Sequence, residues 1–331
     1  MKEKSGMTRV VVQGNYKTGA RKRRRTATWA CILVAIAACA SACSSSSEPS
    51  AVTTSAIEAA AASVAPSVAS ITNVAPVEWT YEDFQSSNFD ENSVTIDNKY
   101  YPVIPGTRFE YEGSTIEEGK TVPHRITFAV TNLTKRIGGV NTVVVWESDF
   151  SEGDLEEDEL TFLAQDKMGN VWHMGEYSEL WDAGEFLAGR TWWVGNPSGA
   201  RAGIMMKPDP KPPMPDWSEG FAPAPFFWTD RARVREADQT TTVPTGTFEG
   251  VLVIEEFNQE EPNAIQLKYY APGVGVVRVG WAGPDDSKES LVMVRRDKLT
   301  PEKLAELSKG ALELEARALS YTTAEPSVMR K

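Results

Sequence analysis

The chain contains only two histidines, His124 and His173, and they limit the acid–base and nucleophilic chemistry that it can carry out. A Ser–His–acid triad would need one of them, and the Gly-x-Ser-x-Gly elbow that presents a nucleophilic serine is missing from the sequence. His124 follows Pro123 at a predicted strand start, and His173 lies within a predicted strand at 170–176. We therefore expect both to be structural, with a hydrolase that uses His173 as the third alternative for function.

Metal binding through sulfur is restricted in the same way. All three cysteines lie near the N-terminus, so the rest of the chain offers no thiolate ligand and no disulfide; they are Cys31, Cys39 and Cys43. Cu(I) would suit the thioethers of Met174, Met205 and Met206 together with His173. Neighbouring residues on a strand point to opposite faces, however, so His173 and Met174 would not ligate together. We predict no metal and no cofactor.

Carboxylates are concentrated between two predicted strands. Oxygen ligands of this kind could hold calcium, but the stretch lacks the spacing of an EF-hand loop. A solvated hairpin is the favoured interpretation of the cluster, whose members are Asp149, Glu152, Asp154, Glu156, Glu157, Asp158 and Glu159.

The segment 181–229 combines prolines with aromatic residues and methionines, which predicts a long irregular segment outside the central strands. Its apolar side chains have three possible roles: lining a cleft for an apolar small molecule, stacking on a cell-wall sugar or a protein from an exposed surface, or sealing the end of the core. The candidate ligand-binding residues are Trp192, Trp193, Met205, Met206, Trp217, Phe221, Phe226, Phe227 and Trp228.

Charge excludes one class of partner. Residues 1–43 hold nine Lys/Arg and one Glu, so the remaining residues hold 25 basic and 45 acidic side chains, a net charge of −20. Nucleic acids and anionic lipid headgroups are recognised through Lys and Arg, so we predict no nucleic-acid partner for this acidic body. High negative charge also keeps a protein soluble.

The N-terminus has the pattern of an export signal. A basic cluster at 21–25 precedes an apolar run at 26–38 that is too short to span a bilayer comfortably. Small residues then precede Cys39 and Cys43, as in the lipobox of bacterial lipoproteins, and that resemblance implies cleavage before the cysteine and attachment of lipid to its sulfur. Cys39 has the better aliphatic residue, Ile36, three positions before it, whereas Cys43 adjoins the serine run. An uncleaved anchor and a soluble exported protein remain alternatives.

These features divide the chain into five parts. Residues 1–38 form the signal peptide, and 39–78, which are rich in Ser, Ala, Thr and Pro, form a flexible tether. Residues 79–298 form a β-rich globular domain. An amphipathic helix at 299–319 packs on that domain, with Thr300 as its N-cap and Pro301 in its first turn. Residues 320–331 form a disordered tail.

Alternating apolar residues and turn signals predict about ten strands with no helix between them. The fold class is therefore mainly β: a single antiparallel meander sheet, a curved half-barrel or sandwich-like, with one C-terminal amphipathic helix. We predict strands at 100–104, 107–113, 125–131, 140–146, 159–165, 170–176, 232–237, 250–257, 265–270, 275–281 and 290–295.

Three motifs carry a resemblance. They are Tyr-Tyr-Pro-Val-Ile-Pro-Gly at 100–106, Ala-Gln-Asp at 164–166 with Gly-Asn-Val-Trp at 169–172, and Tyr-Tyr-Ala-Pro-Gly-Val-Gly at 269–275. Together they resemble a bacterial family of secreted or lipoprotein β-domains, which we expect to be actinobacterial. The resemblance covers about 100–281 and implies a shared fold without catalytic residues. A looser similarity is to half-barrel lipoprotein carriers, from which this chain departs in having one strong helix.

These observations lead to one functional hypothesis and its alternatives. We expect a non-enzymatic, lipid-anchored binding protein on the extracytoplasmic side of the cell membrane, holding an apolar ligand in a cleft closed by 181–229. The alternative is an interaction module that binds cell wall or protein through exposed aromatics.

Overall fold

The computed structural model describes residues 78–196, 199–224, 226–318 and 325–330. Two short 3-10 helices, Ser86–Asn88 and Glu91–Val94, come first. The strands are β1 (Thr107–Glu117), β2 (Lys120–Ile137), β3 (Val140–Ser151), β4 (Asp154–Gln165), β5 (Val171–Asp182), β6 (Glu185–Trp193), β7 (Arg201–Met206), β8 (Trp217–Ser218), β9 (Gly220–Phe221), β10 (Arg231–Val243), β11 (Gly246–Phe257), β12 (Ile265–Ala271), β13 (Gly275–Ala282), β14 (Ser290–Lys298) and β15 (Val328–Met329). The single α-helix of the described residues is α1 (Pro301–Ala318).

The strands form one antiparallel sheet, which confirms the predicted fold class. Its order is β8-β10-β11-β12-β13-β14-β1-β2-β3-β4-β5-β7-β9, with β6 also paired to β5 and β15 paired to β2. Two meanders, β1 to β5 and β10 to β14, meet where β14 pairs with β1. Tight turns allow these long hairpins: Gly138 and Gly139 between β2 and β3 both have positive φ, which two-residue hairpin turns require.

The sheet rolls up until its two ends meet. β8 and β9 are the first and last strands of the order, yet only Glu219 separates them along the chain. The Nε1–H of Trp217 in β8 donates a hydrogen bond of 2.7 Å to the backbone oxygen of Ile204 in β7. A Cβ on Gly203 would lie 2.1 Å from the backbone nitrogen of Gly220, so only glycine allows this close approach. The end strands β8 and β9 are not paired with each other, so the sheet is not closed by backbone hydrogen bonds between them. Glu219 lies between these two strands, at the junction of the sheet ends, which we call the seam.

Two predicted segments differ from the structure. The segment 181–229, expected to be irregular, contains the end of β5 and all of β6, β7, β8 and β9. The prolines at 208–215 lie between β7 and β8, so they interrupt the sheet without entering it. The predicted strand at 100–104 is reduced to a single bridge between Ile96 and Val103.

Helix α1 begins as the sequence predicts. The side-chain oxygen of Thr300 accepts a hydrogen bond of 3.4 Å from the backbone N–H of Lys303, which is an N-cap contact. Ala311 and Leu314 are buried in the main core, and Gly310 lies against the ring of Trp146 in β3. The helix therefore covers the face of the sheet that carries Trp146, which we call the outer face.

A buried ion pair ties the helix to the sheet and to the C-terminal tail. The Nζ of Lys135 in β2 lies 2.6 Å from Oε1 of Glu315 in α1 and 2.6 Å from the backbone oxygen of Glu325. The other carboxylate oxygen of Glu315 accepts a hydrogen bond from the backbone N–H of Ser327. Within the predicted tail at 320–331, the described residues 325–330 include β15, which pairs with β2.

The opposite face, which we call the inner face, changes character along each strand. In β3 the inward residues run from Val143 and Val145, both buried in the main core, to Glu147 and Asp149. In β4 the inward residues change in the same way, in the order Leu163, Thr161, Glu159 and Glu157. The inside of the rolled sheet thus has an apolar half and a carboxylate-rich half.

Candidate binding site on the inner face

Pairs of carboxylates face each other across β3 and β4. The register places Glu147 directly opposite Glu159, and Asp149 directly opposite Glu157. Like charges at directly opposed positions destabilise a sheet. Burial, with the nearby carboxylates adding to it, raises the pKa of Glu147 to about 7 and the pKa of Asp149 well above its usual value. These carboxyl groups are therefore harder to ionise than exposed ones, and a cation placed beside them would favour their charged form.

The carboxylate surface continues onto β5 and β6. Glu176 lies opposite Thr161, and a hydrogen bond links the carboxyl groups of Glu159 and Glu176. Arg190 in β6 contributes a cation, with its Nη2 3.7 Å from Oε1 of Glu157. Burial raises the pKa of Glu157 and, more strongly, that of Glu159. We call this group the β3–β5 patch; it comprises Glu147, Asp149, Glu157, Glu159 and Glu176.

A second group of carboxylates surrounds Lys268 of β12. The Lys268 ammonium lies 2.5 Å from Oε2 of Glu256 in β11, and the Tyr270 hydroxyl donates a 3.1 Å hydrogen bond to Oε1 of the same carboxylate. Glu219 at the seam and Asp230 lie within electrostatic range of Glu256 and Lys268, and burial raises the pKa of Asp230 to about 7. We call Glu219, Asp230, Glu256 and Lys268 the seam patch.

The two patches face the same interior. β12 and β3 are five strand steps apart, which is about 24 Å across a flat sheet. Nevertheless the Lys268 charge counteracts the effect of burial on the pKa of Glu147. The curvature of the sheet brings the patches together, and solvent still reaches them, since the side chains of Glu157 and Lys268 are 14% and 15% exposed.

His124 anchors the end of the β3–β5 patch. Its Nε2 lies 3.2 Å from Oδ1 of Asp149 and 3.1 Å from Oε1 of Glu289, and all three side chains are buried. Burial lowers the pKa of His124, but the hydrogen bond to Glu289 and the charge of Asp149 outweigh it and raise the pKa above its usual value. We therefore assign His124 a structural role as a charged link between β2, β3 and the start of β14.

The predicted ligand-binding aromatics do not form one surface. Trp192 and Phe226 pack with Trp228 in a small cluster of their own. Trp217, Met206, Trp193 and Met205 belong to the main core instead, and Phe221 packs edge-on against Tyr81. Phe227 is 53% exposed, and the fully buried members of the set are Trp192, Met206, Trp217 and Phe226. Ligand binding by these residues stays a prediction.

His173 lies against the indoles of Trp192 and Trp228, with ring centroids 4.9 Å and 5.4 Å away. Burial lowers its pKa to about 3, so the imidazole is neutral at physiological pH. A general base needs contact with its substrate and a pKa near the working pH. His173 does not meet the second condition, although its Nε2 lies 3.6 Å from Oε2 of Glu176 in the β3–β5 patch.

Among the described residues, no three His, Cys, Asp or Glu side chains converge to hold a metal ion. The calcium interpretation of the acidic stretch at 149–159 therefore gains no support. The hairpin is also less solvated than expected, because Asp149, Glu156 and Asp158 are buried. The sequence signal for the inner face was this cluster of carboxylates, which we interpreted as a solvated hairpin.

Comparisons with known proteins add two distant structural likenesses. No protein-family model and no curated protein matches the chain. A Bacteroides fragilis protein described as exported, with a YmcC-like fold, matches at 14% identity and a TM-score of 0.33, over 61% of this chain and all of its own. A Parabacteroides distasonis protein described as a lipoprotein matches at 12% identity and a TM-score of 0.24, over 60% of this chain and 99% of its own. At these TM-scores, the function of this chain rests on its own residues.

The predicted membrane attachment concerns another part of the chain. The signal peptide at 1–38, Cys39, Cys43 and the tether up to residue 77 lie outside the described residues. Within the described ranges, no helix combines the length and the apolar character that crossing a membrane requires. The actinobacterial source of the resembling family stays a prediction.

Proposed function

We propose that this chain is a non-enzymatic binding protein of the cell envelope, lipid-anchored on the extracytoplasmic side, that holds a small polar molecule inside its rolled sheet. The observation that carries the proposal is the pair of patches on the inner face. Natural sheets avoid directly opposed like charges, and departures from such local rules are expected at functional sites. Here Glu147 faces Glu159 in an interior that solvent still reaches.

Native mass spectrometry on the full chain, extracted in mild detergent, tests this proposal. We expect a co-purifying polar small molecule, or a rise in melting temperature with at least one member of a panel of amines, neutral sugars and amino acids. The rise should disappear in Glu147→Gln/Glu159→Gln and persist in Glu249→Gln/Glu306→Gln, which removes the same charge from exposed positions. A bare mass together with no stabilisation by any panel member contradicts the proposal.

The anchor rests on the sequence pattern before Cys39 and Cys43. We expect metabolic incorporation of a palmitate analogue into the wild-type chain, and its loss in Cys39→Ser, in Cys43→Ser or only when both are replaced. Incorporation that persists in the double variant contradicts lipidation at either cysteine.

A second candidate, an interaction module that uses exposed aromatics, is favoured by the β5–β6 hairpin. Phe186 and Leu187 are 43% and 59% exposed there, and Phe186 packs edge-on against Trp181. Binding to peptidoglycan or to a protein partner that is lost in Phe186→Ser/Leu187→Ser would support this candidate.

The apolar cleft and the hydrolase have weaker support. An apolar cleft needs Trp192, Trp217 and Phe226 to line open space, whereas these side chains are fully buried in two separate clusters. A hydrolase would depend on His173, which is neutral and enclosed by two indoles.

A further inference from the structure

We infer that the molecule held on the inner face is an organic cation with at least two primary ammonium groups, which bind one to the β3–β5 patch and one to the seam patch. This inference deepens the proposed function and rests on it. Its starting point is the direct opposition of Glu147 to Glu159 and of Asp149 to Glu157. Two such pairs side by side leave a surface that a positively charged group would stabilise.

Carboxyl groups outnumber cations on the inner face. Among the described residues, three cations have ion-pair contacts there: His124 between Asp149 and Glu289, Arg190 beside Glu157, and Lys268 on Glu256. The carboxylates are more numerous: Glu147, Asp149, Glu157, Glu159, Glu176, Glu219, Asp230, Glu256 and Glu289. Charge complementarity therefore favours a cationic ligand.

Glu219 provides an independent observation at the other end of the site. Its side chain is 1% exposed, and its Oε1 atom has no hydrogen-bond partner among the residues that the structure describes. A buried carboxylate oxygen without a donor costs a substantial part of its hydration energy. The charges of Lys268, Glu256 and Asp230 all affect the pKa of Glu219, so its carboxyl group lies near the other three members of the seam patch. A ligand N–H group would supply the missing donor.

The chain itself shows which cation this interior accepts. Lys268 holds a primary ammonium on a flexible alkyl stem, 2.5 Å from Glu256 and close enough to Glu147 to affect its protonation. A ligand ammonium can donate three hydrogen bonds in the same way. A bare metal ion fits less well, because no group of three His, Cys, Asp or Glu side chains among the described residues is arranged to hold one.

Isothermal titration calorimetry on the full-length protein in mild detergent tests the inference, with 1,4-diaminobutane as the probe. We expect binding that is about tenfold tighter than that of butylamine, since the second ammonium adds a charge-assisted contact. The affinity for 1,4-diaminobutane should fall by about tenfold in Glu147→Gln/Glu159→Gln and in Glu219→Gln. It should remain unchanged in Glu249→Gln/Glu306→Gln.

A second readout does not depend on variants. Glu147 and Asp230 have pKa values of about 7, so binding of a dication at pH 6.5 should release protons from them. Titrations in two buffers with different enthalpies of ionisation would show this release as a difference in apparent binding enthalpy.

The possible failures are distinguishable. Equal affinities for butylamine and 1,4-diaminobutane, or tighter binding of calcium chloride than of the diamine, would overturn the inference. Binding of a neutral sugar without binding of the diamine would overturn it too, while the proposed function would stand. If the diamine, butylamine, sugars, amino acids and calcium all fail to bind, the inference and the proposed function both fall.

Discussion

Glu147 of β3 and Glu159 of β4 lie directly opposite each other on the inner face of the rolled sheet, and burial raises the pKa of both carboxyl groups. A sheet that needed only stability would place opposite charges or apolar side chains at such a pair. The neighbouring pair, Asp149 and Glu157, repeats the arrangement. The inner face therefore gives up stability in the free protein, and a bound cation would restore it.

Removal of one charge from this pair should stabilise the free protein. In Glu147→Gln we expect the free energy of unfolding at about pH 8 to rise by roughly 0.5–1 kcal/mol, because the repulsion from Glu159 disappears. Glu159→Gln should do the same, and the double variant should gain less than the sum, because the two residues are in contact. Urea denaturation measures these changes. Equal or lower stability of Glu147→Gln relative to Glu249→Gln would argue against a repulsive pair.

Stability should increase as the pH falls from about 8 towards about 5. Glu147 and Asp230 have pKa values of about 7 in the folded protein, above the usual carboxyl range, so the folded state binds more protons than the unfolded state in that window. The raised pKa of His124 acts in the same direction, because its stabilising charge is lost as the pH rises through that pKa.

His173 opposes this trend at the acidic end. Its pKa of about 3 lies below the value of an unfolded histidine. The stability that the neutral imidazole contributes to the folded state is therefore lost as the pH falls below about 6.5. Melting temperatures across this range should therefore pass through a maximum between about pH 5 and 6. Glu147→Gln/Asp230→Asn should lower the gain on acidification, and a wild-type stability that rises steadily up to pH 8 would contradict these assignments.

The aromatic residues of 181–229 should differ in how much they contribute to stability, according to their burial. Trp192 is fully buried, so Trp192→Ala should lower the free energy of unfolding by roughly 3–5 kcal/mol. Phe227 is 53% exposed, so Phe227→Ala should change it by less than about 0.5 kcal/mol. Thermal and urea denaturation of both variants check this. A small loss in Trp192→Ala would show that the indole lines open space, as the apolar-cleft hypothesis requires.

The buried pair between Lys135 and Glu315 should behave as a unit. Lys135→Met leaves the Glu315 carboxylate buried without its cation, and we expect a loss of roughly 3–5 kcal/mol in unfolding free energy. Lys135→Met/Glu315→Met should recover most of that loss. A double-mutant cycle measured by urea denaturation gives the coupling, and equal destabilisation of the single and double variants would exclude it.

The sequence predicts the architecture better than the site. The alternating patterns place ten strands and the helix correctly, because each spans a long apolar periodicity with clear turn residues. Within 181–229, β7 and β8 are missed because they pair with strands that are not their neighbours in sequence: β7 pairs with β5, and β8 with β10. The pairing of β15 with β2 is likewise absent from the local pattern, since Ser327 is held by Glu315 of the helix.

The inner carboxylates are missed for a different reason. In a sequence, alternating Asp and Glu indicate a solvated face, and this holds for most hairpins. At Glu147, Asp149, Glu157 and Glu159 the curvature of the sheet turns that face inward. The sheet curves so that its two ends meet near Glu219. Local sequence patterns do not encode this long-range arrangement.

A carbon-13 NMR titration of the glutamate side-chain carboxyl groups, with Glu147→Gln used to assign the Glu147 signal, measures ionisation on the inner face directly. We expect a signal with a midpoint of about pH 7 that disappears in this variant and shifts to lower pH when 1,4-diaminobutane is added. A Glu147 signal that titrates near the ordinary glutamate value of about 4.3, with or without the diamine, would contradict it.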